Sequence, residues 1–151
     1  MGNIKLIALI EDLLEINIDA YHSYTHAING LDIPELIDEF IEFRTDHYQQ
    51  IESLSHIVHL LGGKAPLLPA DLHLDLQPLY EKVTKVTGMK TIIKSMHTIE
   101  TLAINRYESV LASFDSASDS VEILQHNLKQ LNNHIKFINK TLIESDHLEL
   151  V

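Results

Sequence analysis

The sequence contains no cysteine and no tryptophan. Without thiols there can be no disulfide, no thiolate nucleophile, no zinc knuckle and no cysteine-held iron–sulfur cluster. Positive charge is scarce: 11 Lys and Arg stand against 22 Asp and Glu, a formal net charge of -11. Such a surface repels phosphate backbones and anionic lipid, so neither nucleic acid nor a membrane is an expected partner, and cations are attracted. Long hydrophobic runs are missing as well. The apolar stretch "LIALI" meets Glu11 and Asp12 at once, too soon for a signal core or a membrane span, and Leu6 stands where a myristoylation signal needs Ser or Thr. A cytoplasmic protein is expected. Proline is rare, and three of the 4 prolines lie between positions 66 and 78, which leaves the rest of the chain free for long helices.

At 151 residues the chain is read as one domain, 1–151. Apolar residues recur at spacings of three and four in four stretches. The first helix is expected over 4–29, with the stripe Leu6, Ile10, Leu13, Asn17, Ala20, Tyr24, Ala27, ending at Asn29-Gly30. The second, over 33–61, has Asp32 as its expected N-cap and Pro34 in its first turn; its stripe Ile37, Phe40, Arg44, His47, Ile51, Leu54, Val58, Leu61 stops at Gly62-Gly63. A crossover follows over 62–78, where "KAPLLPADLHLDLQP" alternates with period two, then a short helix over 78–86. A third helix is expected over 89–113, and a fourth over 120–145, entered through Asp119 and Glu122 as a capping pair, with the stripe Val121, Leu124, Leu128, Leu131, Ile135, Ile138, Leu142.

Short loop, long crossover, short loop gives an all-α four-helix bundle with up-down-down-up topology rather than a simple up-down one. The halves echo each other. Glu100, Ala103 and Tyr107 in "ETLAINRY" repeat the spacing of Asn17, Ala20 and Tyr24, and "HYQQI" from His47 is matched by "LNNHI" from Leu131.

On these residues the chain resembles the ferritin-like superfamily: "ETLAINRY" looks like the Glu-x-x-Ala-x-x-x-Tyr segment of rubrerythrins and bacterioferritins. "DLLEINIDAYHSYTHAI", "DHYQQIESLSHIVHLLGGKAP" and Glu100 with Tyr107 and Glu108 are similar to small bacterial ferritin-like proteins of uncharacterised function. The resemblance implies a buried di-iron centre with a Glu from each of two helices and a Glu-x-x-His from each of the other two. In this chain those positions hold Asn17, then His47 and Gln50, then Glu100, then Leu131 and His134. Only Glu100 and His134 are retained, and the anionic bridges that two irons require are gone. Asp46 and Asp19 lie near, but ideal helical spacing points them off the stripe, so their use needs a bulge.

An acid buried in a bundle takes a proton or finds a cation. One reading is a metal-free polar core in which Glu100 meets Arg44, His47, His97, Asn17 and His134, with Tyr24 and Tyr107 at its edges. The other is a single Fe, Mn or Zn ion held by His47, Glu100 and His134, with Asn17 or Gln50 as a further ligand. The function expected is a ferritin-like protein with a degenerate di-iron site and a structural or stress-related binding role, without catalytic residues. The alternatives are a metal-dependent oxidoreductase of ferroxidase or peroxidase type, and a helical dimerisation module. A homodimer is expected, paired through the "LHLDL" edge. The pairs His22/His26 and His56/His59 are read as surface histidines, and Ser23, Ser53 and Ser55 sit inside helices where no nucleophile elbow can form.

Overall fold

The computed structural model describes residues 3–64 and 88–149, side chains through 145. The described chain forms four helices and no strand: α1 (Asn3–Gly30), α2 (Pro34–Leu60), α3 (Met89–Leu111) and α4 (Asp119–Glu149). The expected short helix at 78–86, the "LHLDL" edge and all of the crossover beyond Lys64 lie outside the described residues.

The side-chain bonds between helices fix the topology. Asn17 meets His47 and Asn3 meets Leu61, so α1 and α2 are antiparallel. Tyr24 meets Glu100 while Asn17 meets Tyr107, so α1 and α3 are antiparallel too. His134 meets Glu100 and Asn127 meets Tyr107, which reverses α4 against α3. Hence α1 runs with α4 and α2 runs with α3, the up-down-down-up arrangement. Among the four seams, α2 against α4 is the sparsest.

Two apolar clusters fill the bundle. Leu13, Ile51, Leu54, Ile57, Val110 and Leu124 belong to one, and Leu36, Phe40, Phe43, Ile93, Met96 and Ile138 to the other. Between them lies a layer of buried polar side chains: Asn17, His47, Gln50, Glu100, Asn127 and His134.

Local chemistry sets the helix ends. The cap of α2 is Ile33, in extended conformation and with no side-chain cap bond, not Asp32. Pro34 takes the first helical position and holds the residue before it extended. At α4 the Ser120 N–H donates to Ser118 Oγ at 3.2 Å, so Ser118 caps the helix, one residue ahead of the expected Asp119. Asp119 and Glu122 still occupy its first turn, where negative charge favours the helix dipole. At the end of α2, Gly62 has φ 89, Gly62 N–H donates to His59 O and Gly63 N–H to Val58 O. This is a Schellman closure. A Cβ on Gly62 would meet nothing within 4 Å, so Gly62→Ala pays only for the left-handed backbone. It is expected to lower stability by about 1–2 kcal/mol and the melting temperature by a few degrees, read by calorimetry. An unchanged midpoint would show that this turn is not held in the native state.

Candidate metal centre

Glu100 comes from the middle of α3, His47 from α2 and His134 from α4, each on the inward stripe of its helix, and each is 1 % exposed or less. The Glu100 carboxylate accepts three hydrogen bonds. His47 Nε2 lies 2.8 Å from Oε1, His134 Nδ1 lies 2.5 Å from Oε2, and the Tyr24 hydroxyl donates to Oε2 at 2.7 Å. Burial alone would raise the pKa of this acid. The facing charges and hydrogen bonds of His47 and His134 outweigh burial and bring it down to about 2. Glu100 is therefore an anion, and its proton donors are the reason.

Each imidazole is also held on its far side. His47 Nδ1 is 2.7 Å from Asn17 Oδ1, and His134 Nε2 is 2.8 Å from Asp46 Oδ2. The Asn17 amide nitrogen donates to Leu13 O, a carbonyl that can only accept, so the amide oxygen is the atom turned to His47. Burial would lower the pKa of His134. Its bonds to Asp46 and Glu100 outweigh that and raise it to about 9. Phe43 stacks on the His134 ring at 4.0 Å between centroids, and Tyr24 lies against His47 at 5.6 Å. These rings shut the centre from that side.

A neutral cluster adjoins this ionic one. Tyr107 donates its hydroxyl proton to Gln50 Oε1 at 2.8 Å and accepts from the amides of Asn17 and Asn127. Gln50 Nε2 donates to Asn127 O and to Gln130 Oε1, and Asn127 Nδ2 donates to Ser53 Oγ. Burial raises the pKa of Tyr107 far beyond the physiological range, so the phenol stays protonated.

The structure thus brings together Asn17, Tyr24, His47, Gln50, Glu100, Tyr107 and His134. It does not bring Arg44 or His97 to Glu100. Arg44 is half-buried, donates to Thr25 Oγ1 at 3.2 Å and lies over the Tyr21 ring at 5.7 Å. A guanidinium on a flexible stem reaches the better-hydrated rim instead of the core. His97 is half-buried at the edge of α3, outside the network. Asp46 does reach the centre, from an unbroken helix, because His134 extends across the sparse α2/α4 seam to meet it; no bulge is needed. Asp19 faces the Arg106 charge instead, and burial together with Glu15 raises its pKa to about 6. Of the paired histidines, His56 is exposed but His26 is buried, contrary to a surface reading, and burial with the neighbouring His22 lowers its pKa.

Asn127 and Gln130 are polar-layer residues that sequence reasoning missed. Asn127 had a signal: it stands three residues after Leu124 and seven before His134, on the same stripe.

One imidazole nitrogen from each of His47 and His134 and one oxygen of Glu100 lie within 4.8 Å of one another, and this is the only such group of three among the described residues. A family model for a domain of unknown function, DUF2383, matches residues 5–113. The chain belongs to the DUF2383 family. The DUF2383 match takes in α1, α2 and α3 and ends before α4, which supplies His134 and Asn127. No curated protein matches the sequence. In fold, this DUF2383 chain is similar to the bacterioferritin-related protein from Bacteroides fragilis, a dodecameric thioferritin. The TM-score is 0.78 at 16% identity, over 99% of this chain and 90% of that one. The fold is a ferritin-like four-helix bundle.

The donor set can be tested against the two irons usual for that fold. A pair of divalent ions needs several carboxylates to balance it. Among the described residues Glu100 is the only acid in the buried layer, and Asp46 is spent on the far nitrogen of His134. The residues do not fit two ions. Two imidazoles and one carboxylate fit one.

Proposed function

We propose that the chain is a metal-binding ferritin-like protein with a degenerate di-iron centre, holding one iron, manganese or zinc ion with His47 Nε2, His134 Nδ1 and a Glu100 oxygen. The observation that carries this reading is the second set of bonds. Both imidazoles have the nitrogen remote from Glu100 tied to an oxygen acceptor, Asn17 and Asp46, the arrangement that fixes ring orientation and raises basicity in metal-ligating histidines. Such an ion supplies a fixed double positive charge at the centre of the bundle. The chain's own residues orient it, neutralise it and keep water away.

Burial of all three ligands supports a binding role, structural or stress-related, over turnover of an organic substrate. The surface groove of about 380 Å³ at the α2/α4 seam is lined by Gln49, Ser53, Glu122, Ile123, His126, Asn127 and Gln130, none of them a proposed ligand. After loading with zinc and desalting, elemental analysis is expected to find one ion per chain and none in Glu100→Ala, and chelation is expected to lower the melting temperature by several degrees. Zinc that washes out of the wild-type protein would overturn the reading.

A second reading keeps the same residues without metal. All four ring nitrogens of His47 and His134 already face oxygen acceptors, so two imidazolium ions, Glu100 and Asp46 close a neutral network by themselves. Melting that is indifferent to chelation would select it.

We also propose a cytoplasmic homodimer. The described helices include none long and apolar enough to cross a membrane, and the similar fold of a dodecameric protein supports self-association. Light scattering that returns a monomer mass would count against the dimer.

A further inference from the structure

The polar layer has an ionic half and a neutral half. The neutral half is saturated. All six amide N–H bonds of Asn17, Gln50 and Asn127 have acceptors: Leu13 O and Tyr107 for the first, Asn127 O and Gln130 for the second, Ser53 and Tyr107 for the third. The Tyr107 oxygen gives its one proton to Gln50 and takes two in return, which exhausts it. Of the acceptor atoms turned inward, Asn17 Oδ1 is engaged by His47 and Gln50 Oε1 by Tyr107. A cation placed here would meet the positive ends of amide dipoles and no carboxylate.

Aspartate and glutamate have almost the shapes of asparagine and glutamine, so exchanging them changes charge and donors with little change of volume. We propose that the Tyr107-centred amide cluster limits the core to a single cation by its neutrality, so that Asn17 and Gln50 set the number of ions the protein holds. This rests on the one-ion reading above. Asn17 Nδ2 and Gln50 Oε1 both meet the Tyr107 oxygen, while Gln50 Nε2 is turned to Asn127 O and Gln130 Oε1. Replacing both amides by carboxylates therefore sets two anionic groups about the Tyr107 oxygen and supplies the charge a second divalent ion requires.

The experiment is manganese loading of the wild-type protein and of the double variant Asn17→Asp/Gln50→Glu. Ions per chain are counted by elemental analysis after desalting, and electron paramagnetic resonance reports whether the manganese is isolated or exchange-coupled. The wild-type protein is expected to hold one ion with an isolated-ion spectrum, and the double variant two with a coupled one. Two ions in the wild-type protein, or one in a double variant whose helical circular dichroism is intact, would overturn the proposal. A wild-type protein that holds none removes the one-ion reading and this inference with it, a result distinct from either. Should the double variant fail to fold, Tyr107→Phe decides: it deletes the hub hydroxyl but adds no charge. One ion in that variant supports exclusion by neutrality, and two would show that the hydroxyl acts as a plug.

Discussion

Glu100→Ala is expected to cost the metal-free protein about 3–5 kcal/mol, the range for removing one partner of a buried ion pair, and to lower its melting temperature by on the order of 10 °C. Three proton donors lose their acceptor at once: Tyr24, His47 and His134 all point at this carboxylate, and none is near water. The imidazoles would have to give up protons or repel each other across the cavity left behind. Glu100→Gln keeps the shape and one acceptor oxygen, so it should fall between wild type and alanine. Urea titration of the three proteins reads the order directly. Equal midpoints for wild type and Glu100→Ala would mean that the acid contributes nothing in its buried place.

The pH dependence should be comparably large. His134 has its pKa raised from 6.5 to about 9 in the folded metal-free protein. A raised value means that the native state holds the proton more tightly, so the contribution is complete below pH 6.5 and is lost as pH climbs towards 9. The loss is on the order of 3 kcal/mol. Glu100 acts on the other flank. Its pKa is lowered from 4.5 to about 2, so its contribution is complete above pH 4.5 and fades as pH falls towards 2. Asp19 works against folding as it ionises, between 3.8 and about 6, by a smaller amount because solvent reaches it. The metal-free protein should therefore be most stable in mildly acidic buffer and weaken steadily from pH 6.5 to 9. A bound ion reverses the alkaline trend, since it takes the place of the proton on His134 Nδ1 and binds better as that proton leaves. Calorimetric scans across this range, with chelator and with zinc, should diverge as pH rises. Parallel curves would contradict both the His134 shift and the shared site.

Much of this arrangement could be read from spacing. Glu100 and Tyr107 are seven residues apart, as are Asn17 and Tyr24, and a helix must carry both members of such a pair to one face. The same spacing puts His47 inward and loop lengths give the topology, whereas Gln50 and His134 are placed by the ferritin-like resemblance. Spacing fails where reach matters more than direction. Arg44 sits on the inward stripe, yet its long stem carries the charge out to Thr25 and Tyr21. Asp46 sits beside the stripe, yet His134 comes to it across the seam. Helical periodicity specifies where a Cβ starts and says nothing about where a long side chain ends, or which of two facing helices supplies the reach.

The polar layer between the two apolar clusters also restricts how the rods can be misassembled. Greasy faces tolerate a slip of one turn, about 5.4 Å, because one aliphatic neighbour is much like another. Here such a slip would strand Glu100 among hydrocarbon and part it from both imidazoles, now 2.5 and 2.8 Å away. Off-pathway bundles with shifted helices are thereby made costly, and the chain has a means of recognising its own correct alignment that an all-aliphatic interior would lack.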